Sequence, residues 1–273
     1  MFSIIGIDAA WTTTEPSGVA LVVGEDSEWR TLCVAPSYEA FVACASGNPV
    51  DWKTGKFTGC EPDVHSLLSA ARSMAGVDPT LIALDLPLAK VPFTGRRRAD
   101  QAISEAFGGR GCSTHSPSAA RPGPLGTKFI AGLTKAGDPL LTSNFVAGQS
   151  RPGTIEVFPH PALLVLLDLA YRVPYKVSKS SKYWKGAKPA KRIMNLLIEF
   201  EQIECGLRRV FGDLNLALPS TSEVTTLSFL KRYEDCLDAL VSAWVGSRFI
   251  AGNVTAYGDE TAAIWNPTPS RVA

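Results

Sequence analysis

Residues 2–8, Phe-Ser-Ile-Ile-Gly-Ile-Asp, restrict the fold of this chain more than any other segment. Isoleucine occupies both parities of an extended strand, so a strand here turns apolar side chains to both faces of its sheet. Such a strand belongs in the middle of a sheet, with a covering layer above and below. The run ends on a carboxylate, Asp8. A charge in that place is either a turn residue or the first member of a catalytic set.

The rest of the chain supplies partners for that strand. Residues 17–23 (SGVALVV) and 29–34 (WRTLCV) read as two more strands, and the short links predict an antiparallel meander of three. A brief helix over 36–45 and a loop over 47–59 follow. Residues 61–74 place Val64, Leu67, Leu68 and Ala71 on one helical stripe, with Pro62 suited to an early helical position. Residues 80–84 (TLIAL) form a short strand that ends on Asp85, and Pro87 and Pro92 make the next segment a loop. A helix over 98–107 stops at Gly108-Gly109. The stretch 109–126, rich in Gly, Ser and Pro, reads as an exposed loop or lid.

Further on, 154–158 reads as a strand, 161–170 as a buried helix, and 189–210 as a long amphipathic helix. Another helix runs from 223 to 245, and 262–265 reads as an edge strand. Strands first, then helices alternating with single strands, predict an α/β fold with a mixed sheet. The chain has 273 residues, 45% of them hydrophobic, which is ample for a large core. With neither an internal repeat nor a clean linker, 1–273 reads as one domain carrying loop and helical elaborations.

Composition narrows the function classes. Formal net charge is +1 and charged residues are 19%, a balance that neither announces nor excludes a nucleic-acid partner. No stretch approaches the roughly 20 apolar residues of a membrane span, and the apolar start has no basic region before it. The six cysteines, Cys33, Cys44, Cys60, Cys112, Cys205 and Cys236, form no CxxC pair. A cytoplasmic protein with free thiols is expected, with no membrane partner and its oligomeric state left open. A GxSxG nucleophile elbow is missing, as is a GxGxxG after the first strand. FGGRG, 107–111, lacks the Lys-Ser/Thr ending of a phosphate-binding loop.

The carboxylates carry the chemistry. Asp8 and Asp85 each end a strand. Asp235 and Asp238 are three apart on the late helix, so both can face one site, and Leu237, Leu240, Val241 and Trp244 give that helix an apolar face. Carboxylates from separate strands and a helix make sense together if they hold Mg²⁺ or Mn²⁺, which take hard oxygen ligands. Two such ions about 3.5–4 Å apart activate water and stabilise the leaving oxygen in phosphodiester hydrolysis. Glu156, inside the apolar strand TIEVF, is a further catalytic candidate. A buried carboxylate there binds metal, pairs with a base such as Arg98, or faces solvent.

Groups that could meet a substrate lie around these acids. Arg96, Arg97 and Arg98 follow the second acidic strand and could bring guanidinium groups to a phosphate, Arg96 and Arg98 foremost. His160, between two prolines, and His115, among hydroxyls, could exchange protons near neutral pH. Residues 175–192, YKVSKSSKYWKGAKPAKR, hold seven basic residues and no acidic one. This stretch reads as a loop, because Gly186 and Pro189 break any single helix. Lys182, Lys185 and Lys188, interleaved with Tyr183 and Trp184, suit a nucleic-acid backbone and a stacked base.

Taken in order, GIDAAW, ALDLPL, GRRRAD, IEVFPHPAL, EDCLDAL and ETAAIWNP resemble domain-of-unknown-function family 429, described as predicted nucleases with a ribonuclease H-like fold. The resemblance runs from residue 4 to about 266. It implies a five-stranded mixed sheet, the meander followed by strands four and five, with helices on both faces. It also implies metal ligands from the centre of strand one, the end of strand four and the last helix: Asp8, Asp85, and Asp235 or Asp238. The expected activity is metal-dependent phosphodiester hydrolysis on DNA or RNA. Two alternatives stand beside it: a phosphoryl-transfer or phosphate-ester enzyme on a small substrate held under the 109–126 loop, and a non-catalytic polyanion-binding protein.

Overall fold

The computed structural model describes residues 1–25, 28–118, 120–149 and 151–269. Residue 119 of the expected 109–126 loop lies outside the described residues. Seven strands form one sheet: β1 (Phe2–Asp8), β2 (Gly18–Glu25), β3 (Glu28–Ala35), β4 (Leu81–Asp85), β5 (Gly153–Val157), β6 (Val254–Gly258) and β7 (Ala263–Pro267). Their spatial order is β3-β2-β1-β4-β5-β7-β6. β1, β2 and β3 pair antiparallel, whereas β4 runs parallel to β1 and β5 parallel to β4. The first five strands therefore have the ribonuclease H-like order, with β1 in the middle as its apolar run requires.

Beyond β5 the sheet differs from the expectation. The segment read as an edge strand is β7, an interior strand parallel to β5, and the edge is β6, paired antiparallel to β7. The five-stranded sheet is thus the core of a seven-stranded one. β6 is short and only partly covered, VTAYG between Gly252-Asn253 and Asp259, so its sequence carries little strand signal.

Helices cover both faces. On one, α8 (Lys231–Ile250) lies along the sheet, with α7 (Pro189–Phe211) and α5 (Pro159–Leu166) packed beyond it. On the other lie α1 (Tyr38–Ala45), α2 (Val64–Ala75) and α4 (Pro124–Ala136). α3 (Arg98–Phe107) packs beside β6 and β7 around Ile103, Phe107 and Ile264. The parity of β1 explains the layering: Ile4 sits in the α8-side core, Ile5 and Ile7 in the other.

The helix expected from 223 begins at Lys231, after a 3-10 turn over Leu227–Leu230. The helix expected over 161–170 is α5, which ends at Leu166, shortly before Asp168 takes φ 51°. The lysine run is only partly a loop: Val177–Lys179 is a 3-10 turn and Ser180–Tyr183 a single-turn helix, α6. Gly186, at φ 76°, then separates it from α7. No helix among the described residues is long and apolar enough to cross a membrane.

Candidate active site

The site forms where β1 and β4 end. Asp8 and Asp85 are partners in the parallel register of these strands, one step past Gly6 with Ala83 and one more past Ile4 with Leu81 along the same face. Side chains alternate along a strand, so both aspartates belong to the face that α8 covers. Two glycines bring that helix down. A Cβ on Gly6 would stand 2.1 Å from the Ala239 carbonyl oxygen, and one on Gly18 would stand 2.1 Å from that of Asp235. Gly18 is itself the antiparallel partner of Asp8. The first turns of α8 are thereby laid beside the strand ends, with Glu234, Asp235 and Asp238 at this end of the sheet.

Two lysines share the acidic cluster. Lys176, just before the 3-10 turn, bridges Glu234 at 3.3 Å and also Asp238. Asp238 further accepts from the Tyr175 hydroxyl at 2.5 Å. Lys231 bridges Glu234 at 3.1 Å and also Asp235. Glu234 accepts a third bond, from the Val177 amide at 2.6 Å. Asp8 and Asp85 differ from all of these, since their carboxylates have neither a cation nor a hydrogen-bond donor among the described residues. Both open onto a cavity of about 620 Å³, which Asp235 also lines and Asp238 does not.

Burial, and then the charge of Asp8, push the Asp85 carboxyl well above its ordinary range, with Lys176 pulling the other way. Asp235 is raised for the same first reason, against the pull of Lys231. Asp238 is pushed up to about 6 by burial, again with Lys176 opposing. Glu234 ends below its ordinary value: burial works to raise it, and Lys176, Lys231 and the Val177 amide outweigh that.

Glu156 serves a different arrangement. It is in register with Leu84 and so points to the face opposite Asp85, while Ile155 and Val157 enter the α8-side core as the alternation predicts. Both its oxygens are held by Arg97, at 2.6 Å each, and one also accepts from the Leu88 amide at 2.9 Å. Arg97 in turn holds Asp100 in the first turn of α3. The partner of Glu156 is thus Arg97, not Arg98. The network ties β5 to the loop after β4 and to the start of α3, and lies in the wall of the same cavity. Two parallel guanidinium bonds are the geometry of an ionised carboxylate. Burial opposes this and pushes Glu156 up to about 7.

Of the groups expected to meet substrate, His115 and His160 line the cavity. Arg96 and Arg98 do not: Arg96 bonds to Ser104, Ser116 and the Asp100 carbonyl, and Arg98 is exposed, 3.9 Å from Glu105. Lys182, Lys185 and Lys188 are exposed and outside the cavity lining. The basic residues that do line it are Arg97, Arg121, Arg172, Lys176, Lys179 and Lys231. The sequence placed Arg97 among the arginines that could meet a phosphate and Lys176 and Lys179 in the basic run, and gave Arg121, Arg172 and Lys231 no site role. The available signal was Lys176 opening the basic run beside Tyr175, and Lys231 one helical turn before Asp235.

The donor set fits a hard divalent cation in part. Every anionic donor here is a carboxylate oxygen, which suits Mg²⁺ or Mn²⁺, and Asp8 and Asp85 are an adjacent pair that no described residue salt-bridges. Yet among the described residues no three His, Cys, Asp or Glu side chains converge closely enough to hold a metal. The nearby Asp235 and Asp238 are instead tied to lysines.

A family model described as "Protein of unknown function (DUF429)" matches residues 6–262. No curated protein and no solved structure matches the chain.

Proposed function

Since the chain belongs to the DUF429 family, whose description assigns no activity, we propose its function from the site: divalent-cation-dependent hydrolysis of phosphodiester bonds in a nucleic acid. The observation that carries this reading is the pair Asp8 and Asp85. They are in register on neighbouring strands of a ribonuclease H-like sheet, face a cavity, and have no cation within salt-bridge distance among the described residues. Two carboxylates so placed repel unless a proton or a cation stands between them. A divalent ion held there would supply Lewis acidity at a phosphoryl oxygen.

The chain's own groups have definable parts in this reading. Asp8 and Asp85 are the ligands. Asp235 is the third candidate, because it lines the cavity, whereas Asp238 lies beneath Lys176 and Tyr175 and positions them. Lys231 holds Asp235 and balances its charge while the site is without a cation. The raised Asp85 carboxyl would release its proton to let a cation be held there. Glu156 fixes Arg97 and the loop after β4, and so shapes the wall.

Calorimetric titration with Mn²⁺ tests this. Binding to the wild type that is lost in Asp8→Asn, together with Mn²⁺-dependent cleavage of at least one of single-stranded, duplex or branched nucleic acids, is the expected result. Binding that persists unchanged in Asp8→Asn, or a wild type that cleaves none of the panel, would overturn it.

A further inference from the structure

The cavity holds a second constellation whose charge is opposite to that of the strand ends. Arg172 lies 2.6 Å from the Nε2 of His160, and the Nζ of Lys179 lies 3.3 Å from the Nε2 of His115. All four residues line the cavity. The two pairs form one cluster, for the positive charge of Arg172 bears on His115, His160 and Lys179 alike. Like charges are not gathered in a wall without something to offset them.

The protein supplies no such offset. Among the described residues neither Arg172 nor Lys179 has a carboxylate within salt-bridge distance. The charged groups facing the cluster from neighbouring elements are Lys176 and Lys182 on its own segment and Glu234 on α8. Glu234 is already taken by Lys176, Lys231 and the Val177 amide.

Hydrogen-bond accounting fixes the state of the His160 ring. A guanidinium only donates, so Nε2 of His160 accepts from Arg172, and the neutral ring carries its proton on Nδ1. That Nδ1 is buried and without a partner, and so is Nε of Arg172. Two buried donors, one on a histidine 6% exposed, are left without an acceptor in a wall that already carries excess positive charge. A ligand bearing negative charge and acceptor oxygens, held in the cavity that Arg172 and Lys179 line, offsets the excess charge. The planar guanidinium fork beside a lysine ammonium suits a phosphoryl group.

We propose that Arg172, Lys179 and His115, with His160 orienting Arg172, form a phosphate-binding subsite in the cavity, separate from the Asp8–Asp85 pair. The inference rests on the proposed phosphodiesterase reading only for its place in catalysis. There it gives the substrate a second phosphoryl contact beside the scissile one, and confines it to chains with a phosphate on each side of a nucleoside or at a terminus.

The test is titration of the metal-free protein with inorganic phosphate in chloride buffer. One phosphate per chain is expected, weakened at least tenfold in Arg172→Gln and in Lys179→Gln. Affinity should be retained in Asp8→Asn and in Lys188→Gln, which lies outside the cavity. No binding, or binding that neither cavity substitution weakens, would overturn the subsite. Should Arg172→Gln not fold, Lys179→Gln and His115→Asn carry the test in its place. Competition with thymidine dinucleotides then identifies the source. Displacement only by the 5′-phosphorylated form assigns a terminal phosphate, displacement by both forms an internal diester, and displacement by neither removes the subsite from substrate binding. Phosphate binding in a protein that cleaves no nucleic acid leaves the subsite standing and ends the phosphodiesterase reading. Cleavage without phosphate binding does the reverse.

Discussion

His160 shows how one residue's surroundings set its protonation. Burial is the main cause that lowers it well below its ordinary value, and the charges of Arg172, Lys176 and Lys179 add to it. In the unfolded chain the same imidazole titrates near pH 6.5. Between these two values the unfolded state binds a proton that the folded state refuses, so stability rises with pH across that window. We expect unfolding free energy to fall by up to about 1.4 kcal/mol for each pH unit below 6.5 through this group alone. His160→Gln keeps an acceptor for Arg172 and removes the titration. Urea unfolding at pH 7, 6 and 5 should therefore give a shallower slope for the variant, and parallel slopes would refute the assignment. Neither this nor the Glu156 pair was legible in the sequence. His160 and Glu156 stand out there as titratable groups in apolar segments. Which arginine reaches each, Arg172 and Arg97, depends on where a distant loop returns to the sheet. Asp8 and Asp85 were legible because each follows an apolar strand, a local signal that needs no knowledge of partners.

At the level of elements, the contact of α8 with β1 and β2 is what builds the site. It depends on Gly6, whose added Cβ would meet backbone atoms, the Ala239 oxygen at 2.1 Å and the Ala243 nitrogen at 2.6 Å. Backbone in a packed helix cannot step aside as a flexible side chain can, so Gly6→Ala must push the helix off the sheet. We expect a loss of about 3 kcal/mol, at the upper end of overpacking, which for a chain of this size is a fall in Tm of about 6–12 °C. Gly109→Ala, with open space around it, should shift Tm by no more than about 2 °C. Equal melting of the two variants would mean that α8 does not rest on Gly6. Glycines of this kind also explain what the sequence conceals. α4 starts at Pro124, inside the 109–126 stretch that reads as a loop, and contains Gly126 and Gly132. In the fold Gly126 makes room for the Pro87 carbonyl and Gly132 for Val64. The strong periodic signals, the meander, α2 and α7, came through because their burial follows a simple period. α4 and β6 did not, because close approach and an edge position leave no such pattern.

For the whole molecule, the acidic end of the sheet sets stability against function. Glu234, Asp235 and Asp238 share Lys176 and Lys231, while Asp8 and Asp85 stand side by side with no cation within salt-bridge distance among the described residues. An ionised Asp85 is thus a cost to the fold, one that the proposed cation would offset. Its carboxyl is raised, first by burial and then by Asp8, so folding takes up a proton there. Its unfavourable contribution builds as pH rises from the ordinary carboxylate range to the raised value, is complete above it, and vanishes at acid pH, where the group is protonated in both states. Asp85→Asn removes the charge and keeps the shape. In metal-free buffer at pH 8 the variant should be more stable than the wild type by about 1–2 kcal/mol, a rise in Tm of about 2–8 °C. At about pH 3, below the ordinary carboxylate pKa, the difference should nearly vanish. Addition of Mn²⁺ at pH 8 should reverse the order, because only the wild type gains the linkage stabilisation of a bound cation, about 2.7 kcal/mol at a hundredfold excess over Kd. Thermal melts of both proteins at the two pH values, with and without Mn²⁺, decide the matter. A variant less stable than the wild type in metal-free buffer at pH 8 would show that Asp85 is a structural residue with a partner, and the case for a cation between Asp8 and Asp85 would fall with it.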